Sequence, residues 1–395
     1  MLTRHRIQKT LLNTIKSLEQ DFIKQILLLT LLLPILLSSC TRSWSLSIIS
    51  PQNKVIMFDH SKFQFLLADA DLEDDLPLER LLWNVGYSFL DEVIIDYSDG
   101  IKINYQWSDI FNSSTVNKRG QVCIANDCRN VKNIHPSQSI ETEASIIDLA
   151  STITSTLNIA APDGNQGKPL IDLNASHVVT ILLDGFGYQI MSDASNLGLT
   201  PNIDSLPDSF LSHTVYPPGT RVATSAFLTG ANPEENGVKH NGMRTIKLQT
   251  LFSVLELSGK KSIAIEGESL PVNLIDTQVI LSGDRDANGS TDDNVFANTI
   301  DVLIHPQLPD FLFIQFHGID DAGHSFGVGS EEHYASIQSI DSMVSELIQL
   351  LPKGTLLIIF ADHGMHNQPG NPLEGTHGNL IIEDMLIPII IYQIP

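Results

Sequence analysis

A chain of 395 residues is long enough for one large or two ordinary domains and a sizeable core. Its 23 Lys plus Arg stand against 46 Asp plus Glu, a formal charge of -23 at pH 7. That balance repels a phosphate backbone and supplies none of the basic stripe that nucleic-acid binding needs, so a nucleic-acid duplex is excluded as a partner.

The N-terminal segment has a basic, polar lead (Arg4, Arg6, Lys9, Lys16, Lys24), an apolar run from Ile26 to Leu37, and then Ser38-Ser39-Cys40. The run is too short to span a bilayer comfortably, and its flanks read as a secretory signal over residues 1–39. Leu37-Ser38-Ser39-Cys40 resembles the lipobox of bacterial lipoproteins. That resemblance implies that Cys40 is lipidated and tethers an exported chain to the membrane of the cell envelope; an uncleaved signal anchor is the alternative. The polar lead is unusually long, which is compatible with a start codon further downstream. The chain has 3 cysteines. The remaining two, Cys123 and Cys128 in "CIANDC", favour a local disulfide in an oxidising compartment. A metal site there would need further ligands, and only His135 is near in sequence.

Residues 40–142 alternate polar and apolar positions in "SWSLSIIS", "KVIMFD", "EVIIDY" and "IKINYQW", with turns such as Ser98-Asp99-Gly100 between them. Short alternating strands bounded by turn residues predict a small β-rich domain. It carries no cluster of His, Asp and Glu, and reads as a structural or interaction region without chemistry of its own.

Residues 143–395 follow another pattern. Apolar strands are expected at "VVTILL" (178–183), "SIAIE" (262–266), "FLFIQF" (311–316) and "LLIIFA" (356–361). Before the last of these, Tyr334, Ile337, Ile340, Val344, Leu347 and Leu351 recur at helical spacing. Buried strands alternating with helices predict an α/β fold with a mostly parallel sheet flanked by helices. In such sheets functional groups gather beyond the carboxyl ends of the strands. Asp184, Asp320 and Asp362 each fall just after a strand run. The same loops carry His324, His363 and His377. Three carboxylates and three imidazoles suit two closely spaced divalent ions, zinc most naturally, with manganese or iron as alternatives.

The order of motifs is D-G-x-G, a threonine in a Pro-rich loop, D-x-x-G-H, A-D-H-G-M and H-G. It resembles the alkaline phosphatase superfamily, and most closely its nucleotide pyrophosphatase/phosphodiesterase branch, over roughly residues 178–380. The stretch "TPNIDSL" (200–206) adds to the likeness. The resemblance implies an alkaline phosphatase-like fold. It places Asp184, Thr220, Asp362 and His363 around one metal, and Asp320, His324 and His377 around the other. It further implies Thr220, in "YPPGTRVATSAFLTG", as the nucleophile, with Thr224 and Ser225 as rivals. Asp321 reads as an exposed neighbour of the site or a group behind its ligands, and His317 as packed in the core or behind the ligands and not as a catalytic group.

The sequence departs from the branch after Thr220. Phe-Pro-Asn-His is usual there, whereas Arg221-Val222-Ala223-Thr224 follows here. The asparagine that helps hold phosphoryl oxygens is missing from that place, and Arg221 is a candidate to bind phosphate instead. The Cys/Ser-x-Pro-x-Arg setting of sulfatases does not occur. Two features lie outside the motif order. In "GDRDANGSTDD" (283–293), Asp284, Asp286, Asn288, Ser290 and Asp292 outline a candidate calcium loop, with an acidic turn as the alternative. The segment 145–170 looks like the helix and tail that superfamily members usually carry after their last metal histidine. A circular rearrangement would bring it to the front and requires residues 145–160 to lie against the catalytic sheet.

The expectation is therefore a metal-dependent hydrolase of small phosphate esters, diesters ahead of monoesters, acting through a phospho-threonine intermediate. A phosphomonoesterase and a metal-binding relative without turnover are the alternatives. Nothing in the sequence indicates a protein partner.

Overall fold

The strand runs that are apolar at every position become the centre of a large sheet, because a strand covered on both faces has no side to leave polar. The computed structural model describes residues 44–395 other than 71, 208 and 369. The expected signal segment and Cys40 lie outside the described residues.

The β-rich region supplies β1 (Ser45–Ile49), β2 (Val55–Asp59), β3 (Asp75–Pro77), β4 (Glu92–Tyr97), β5 (Lys102–Gln106), β6 (Ser114–Asn117), β7 (Gln121–Ile124) and β8 (Asp127–Ser137). They form one sheet in the order β2-β1-β8-β7-β6-β3, with β4 on β8 and β5 on β4. Along β4 the residues alternate, Val93, Ile95 and Tyr97 being buried, which is the period-two pattern of a sheet with one covered face. A disulfide joins Cys123 to Cys128, directly opposite each other across the β7–β8 hairpin.

The second sheet consists of β9 (Ala144–Ser145), β10 (Val178–Leu183), β11 (Phe210–His213), β12 (Ser262–Glu266), β13 (Gln278–Leu281), β14 (Phe311–Phe316), β15 (Leu356–Phe360) and β18 (Leu386–Gln393). Its order is β13-β12-β14-β10-β15-β18-β11-β9. Within this sheet only β18 runs against the rest. A separate two-stranded ribbon joins β16 (His366–Gln368) to β17 (Asn371–Thr376). All residues of β10, β14 and β15 are buried, and each large aliphatic or aromatic side chain so placed contributes about 1.5–3 kcal/mol. The fold is alkaline phosphatase-like α/β, preceded by a β-rich region.

Residues 144–157 join this sheet. Strand β9 pairs in parallel with β11, Ala144 opposite Ser212, and the Asp148–Thr156 helix buries Leu149 and Ile153 in the same core as β10 and β15. This is the placement the circular rearrangement requires. The Glu331–Leu350 helix buries Ile337, Ile340, Val344 and Leu347, and Ser330 caps it by accepting the His333 amide.

Leu46–Pro395 forms one unit. The two sheets meet through side chains, among them Trp107, whose Nε1 donates to the Leu380 carbonyl at 2.9 Å.

Candidate metal centre and active site

The three central strands end together. Strand β10 pairs in register with both β14 and β15, so Asp184, the turn after Phe316, and Asp362 emerge at one edge. Gly185 follows Asp184 at φ +73°, and a Cβ there would stand 3.0 Å from the Asp320 side chain. Glycine thus serves both the left-handed backbone and the close approach of a second carboxylate. Asp320 is carried on the first turn of the Gly318–Phe326 helix, and His324 lies one turn later on the same face. Asp362 is fully buried, and its Oδ1 accepts the Gly185 and His363 amides.

The imidazoles are held in a common way. The Nδ1 atom of His324 meets the Gly375 carbonyl at 2.9 Å, that of His377 the Pro218 carbonyl at 2.9 Å, and that of His363 the Gly364 carbonyl at 3.1 Å. A carbonyl only accepts, so each Nδ1 donates a proton to it, and each Nε2 is the ring nitrogen turned toward the site. Orientation of this kind is what metal-binding histidines require.

Those Nε2 atoms point at the carboxylates. His324 Nε2 lies 3.3 Å from Asp320 Oδ2, and His377 Nε2 lies 3.8 Å from Asp320 Oδ1. His363 Nε2 is 3.4 Å from both Asp184 Oδ1 and Asp362 Oδ2. Two groups of ligand atoms each fall within 4.8 Å: Asp320 with His324 and His377, and Asp184 with Asp320 and His363. The expected division put Asp320 on one side only; here it borders both groups. Asp320 Oδ1 and Asp362 Oδ2 are buried and have no hydrogen-bond partner. Orphaned carboxylate oxygens beside inward-turned Nε2 atoms fit divalent cations with nitrogen and oxygen ligands.

Thr220 opens the Thr220–Thr229 helix. Its Oγ1 is 3.3 Å from His363 Nε2 and 3.5 Å from Asp184 Oδ1. Phe227, on the same helix, packs against Phe313 and Phe360 with ring centroids 5.6 and 4.9 Å away. The helix is thereby fixed on the strands that deliver the acids. Its rivals are turned elsewhere: Ser225 Oγ donates to the Arg221 carbonyl at 2.7 Å, and Thr224 is fully buried.

Charge follows this geometry. Burial, with repulsion from Asp362 and Asp320, pushes the Asp184 carboxyl up to about 7. Burial, then Asp320, does the same to Asp362, also to about 7. Burial also opposes ionisation of Asp320, yet the hydrogen bond from His324 and the neighbouring imidazoles hold it down at about 2. The bond to Asp320 raises His324 to about 9, while burial and then His363 lower His377 to about 4. Three carboxylates crowded in a buried place carry more negative charge than the neighbouring side chains neutralise.

Several residues make contacts the sequence did not indicate. His317 lies behind a ligand, one of its two expected places: its Nδ1 meets Asp184 Oδ2 at 2.8 Å and its Nε2 meets Glu266 Oε1 at 2.8 Å. Gln315 Nε2 donates to the same Asp184 oxygen at 3.0 Å. Glu266 ends β12 inside an apolar run and Gln315 interrupts β14. A polar residue at a strand position buried on both faces was the available signal for each. Asn241 lies against the start of the Thr220 helix. Its Oδ1 accepts the Arg221 amide at 3.3 Å, and a Cβ on Gly219 would stand 2.8 Å from its Nδ2. The Arg221 guanidinium donates to the Asn241 carbonyl; partial burial and the nearby Arg244 lower its pKa. Asp321 is exposed.

The acidic turn folds on itself. Asp284 accepts the Asn288 and Gly289 amides, Asp286 accepts the Asn288 amide, and Asn288 Oδ1 accepts the Ser290 amide at 2.7 Å. Ser290 Oγ accepts the Asp292 amide at 3.2 Å. The Asp292 carboxylate, in contrast, accepts the His317 and Gly318 amides at 2.9 Å each. It braces the turn after β14 instead of closing the calcium loop.

A parallel sheet with acids and imidazoles at its carboxyl edge, and a hydroxyl at a helix start beside them, defines a member of the alkaline phosphatase superfamily, whose enzymes use divalent metals. The profile of type I phosphodiesterases/nucleotide pyrophosphatases matches residues 178–261 and 269–388, and the chain belongs to that family. Its members act on phosphoesters. The chain is 35% identical over 69 residues to GPI ethanolamine phosphate transferase 3 of Schizosaccharomyces pombe, covering 18% of this chain and 7% of that protein. It thus spans less than a tenth of the length of that relative. Murine ectonucleotide pyrophosphatase/phosphodiesterase 5 is similar in structure, at 20% identity and a TM-score of 0.40, covering 49% of this chain and 58% of that one. The C-terminal periplasmic domain of EcEptC from Escherichia coli matches at 16% identity and a TM-score of 0.39, covering 55% and 72%. No helix among the described residues is long and apolar enough to cross a membrane.

Proposed function

We propose that this chain is an exported, lipid-anchored phosphodiesterase with Thr220 as nucleophile. On this reading residues 1–39 are the signal, Cys40 the lipidated residue, 40–142 a β-rich accessory region and 143–395 the catalytic part. Asp184, Asp362 and His363 hold one divalent cation beside Thr220, and Asp320, His324 and His377 hold another; zinc best suits these donors. The observation that carries the reading is the Thr220 hydroxyl set beside His363 Nε2 and Asp184 Oδ1, in a site where Asp320 and Asp362 each leave a buried carboxylate oxygen without a hydrogen-bond partner.

The cations, when bound, supply positive charge for the phosphoryl oxygens and lower the pKa of oxygens beside them. The protein supplies alignment. Thr220 Oγ1 attacks phosphorus and gives up its proton to solvent, while the bond from phosphorus to the leaving oxygen breaks and the departing alkoxide takes a proton from solvent to leave as the alcohol. A phospho-threonine results, and an acceptor oxygen then displaces Thr220 by the same substitution in reverse. Asn241, with its Oδ1 occupied by the Arg221 amide, presents Nδ2 to a phosphoryl oxygen. It stands where the asparagine missing after Thr220 would be needed, and Arg221 adds charge at the rim.

A second reading follows from the stretch shared with GPI ethanolamine phosphate transferase 3: the acceptor is an alcohol and the enzyme a transferase. Metal analysis of the purified chain, with turnover of bis-p-nitrophenyl phosphate and p-nitrophenyl phosphate, tests the first reading. Two ions per chain, faster diester cleavage and its loss in Thr220→Ala are expected. Full turnover by Thr220→Ala refutes the nucleophile, and faster monoester cleavage makes the chain a phosphomonoesterase. Added acceptor alcohols that divert product from free phosphoester to a new diester establish transfer.

A further inference from the structure

The β-rich region reaches one element of the catalytic half with buried polar groups. Glu79, on the Leu78–Asn84 helix, is 3% exposed. Its carboxylate accepts the Leu380 amide at 2.8 Å and Asn379 Nδ2 at 3.1 Å. Trp107, fully buried, donates Nε1–H to the Leu380 carbonyl. Both backbone polar groups of Leu380 are therefore bound by side chains from the β-rich region. Phe111 of the same region stands edge-on to His366, centroids 5.6 Å apart. His366 Nδ1 meets Asp384 Oδ1 at 2.7 Å, and Asp384 Oδ2 accepts the Asn379 amide at 2.9 Å.

These bonds converge on the segment that follows His377. On its other side the His377 ring stacks on His363, centroids 3.8 Å apart, and its Nδ1 is tied to the Pro218 carbonyl, in the loop that leads to Thr220. A buried carboxylate is costly to desolvate, and burial pushes Glu79 up to about 7. Such a group is retained where it satisfies donors that would otherwise be orphaned, and here those donors are Leu380 N, Asn379 Nδ2 and the Tyr216 hydroxyl.

We propose that Glu79 and Trp107 are positioning residues for His377: the β-rich region clamps the 377–384 segment and so aims the His377 Nε2 at the Asp320 side of the metal centre. The region is then a working part of the site and not a separate binding module. The inference rests on the reading of His377 as a metal ligand.

The test is zinc titration of the full chain against a competing chelator, read as separate binding steps. The step belonging to His377 is identified by its absence in His377→Ala. Glu79→Leu, which keeps volume and removes both acceptors, is expected to weaken that step about 10–100-fold and leave the other in place. Glu79→Gln is expected to restore it, because its amide oxygen accepts the Leu380 amide while the Asn379 carboxamide turns over to accept from its NH₂. Trp107→Phe removes one N–H, keeps the ring, and is expected to weaken the same step. Should Glu79→Leu fold poorly, Trp107→Phe carries the test alone. Unchanged zinc steps in these variants overturn the clamp, as does equal weakening of both steps that Glu79→Gln does not reverse. Absence of two-step zinc binding in the unaltered chain overturns the two-metal reading itself, and the clamp with it.

Discussion

His317 Nδ1 lies 2.8 Å from Asp184 Oδ2, the oxygen turned away from Thr220, while Asp184 Oδ1 faces the hydroxyl at 3.5 Å. One carboxylate is thereby divided between a support and a ligand. Glu266 holds the far side of the same imidazole, and Asp292 holds the backbone beneath it. Removing the imidazole leaves Gln315 Nε2 as the remaining support of that oxygen and loosens the Asp184 side chain. His317→Ala is expected to weaken zinc at the Asp184 side about 10–100-fold. In His317→Asn, the side-chain Nδ2 replaces the lost Nδ1 donor and most of the affinity returns. Chelator competition on the two variants checks this, and equal losses in both would show that the Asp184 bond is not the cause.

Phe227 joins the Thr220 helix to β14 and β15 through Phe313 and Phe360. Phe227→Ala leaves a cavity where the helix meets the strands that carry the metal ligands. A loss of about 3–5 kcal/mol in unfolding free energy is expected from urea denaturation. Phe227→Leu fills most of the volume and should recover most of that loss. Diester turnover should fall further than metal content in the alanine variant, since Thr220 moves with the helix while Asp184 and Asp362 stay on their strands.

Arg221 stands one residue after the nucleophile, beside Arg244 and against Asn241. In a chain of formal charge -23, Arg221 at the start of the catalytic helix, with Arg244 close enough to act on it, adds side-chain attraction for an anionic substrate. Arg221→Ala is expected to raise KM for a diester roughly tenfold, the order of one charged hydrogen bond, with a smaller change in kcat. The KM increase should shrink as salt is added, because the contact lies at the solvent edge. A fall confined to kcat would instead assign Arg221 to holding Asn241.

Much of this was legible in the sequence because it depends on short-range rules. A strand apolar at every position declares its own burial, and an acid placed directly after it declares the carboxyl edge of a parallel sheet. Asp184, Asp320 and Asp362 were found that way. Glu266, Gln315 and Asn241 were missed because their meaning depends on partners 51, 131 and 20 residues away, separations that no local pattern encodes. Asp292 was drawn into the acidic turn by spacing alone, whereas in the fold two amides after β14 claim its carboxylate. The β-rich region reads as inert in sequence for a similar reason: Glu79 and Trp107 meet Leu380 and Asn379, which lie far along the chain.

The metal-free protein should respond to pH in a direction opposite to common acid denaturation. Burial, with repulsion among the acids, raises both Asp184 and Asp362 to about 7. When folded, each therefore retains a proton that the unfolded chain has already released above about pH 4. The stability these two groups contribute is present below that pH and is lost as pH rises through 7. Asp320, held at about 2, acts the other way only below about pH 4. His377, His213 and His333, lowered to about 4 by burial, act the other way up to about pH 6.5. Glu79, raised to about 7, adds to the two acids across their whole interval. Chelator-treated protein should therefore melt at a higher temperature near pH 5.5 than near pH 8. Zinc reverses the order, since its binding requires the ionised carboxylates and releases their protons. Thermal melts across this range, with and without zinc, give the answer. A metal-free form that gains stability from pH 5.5 to pH 8 would mean that the carboxylates are not crowded against one another as the geometry of Asp184, Asp320 and Asp362 requires.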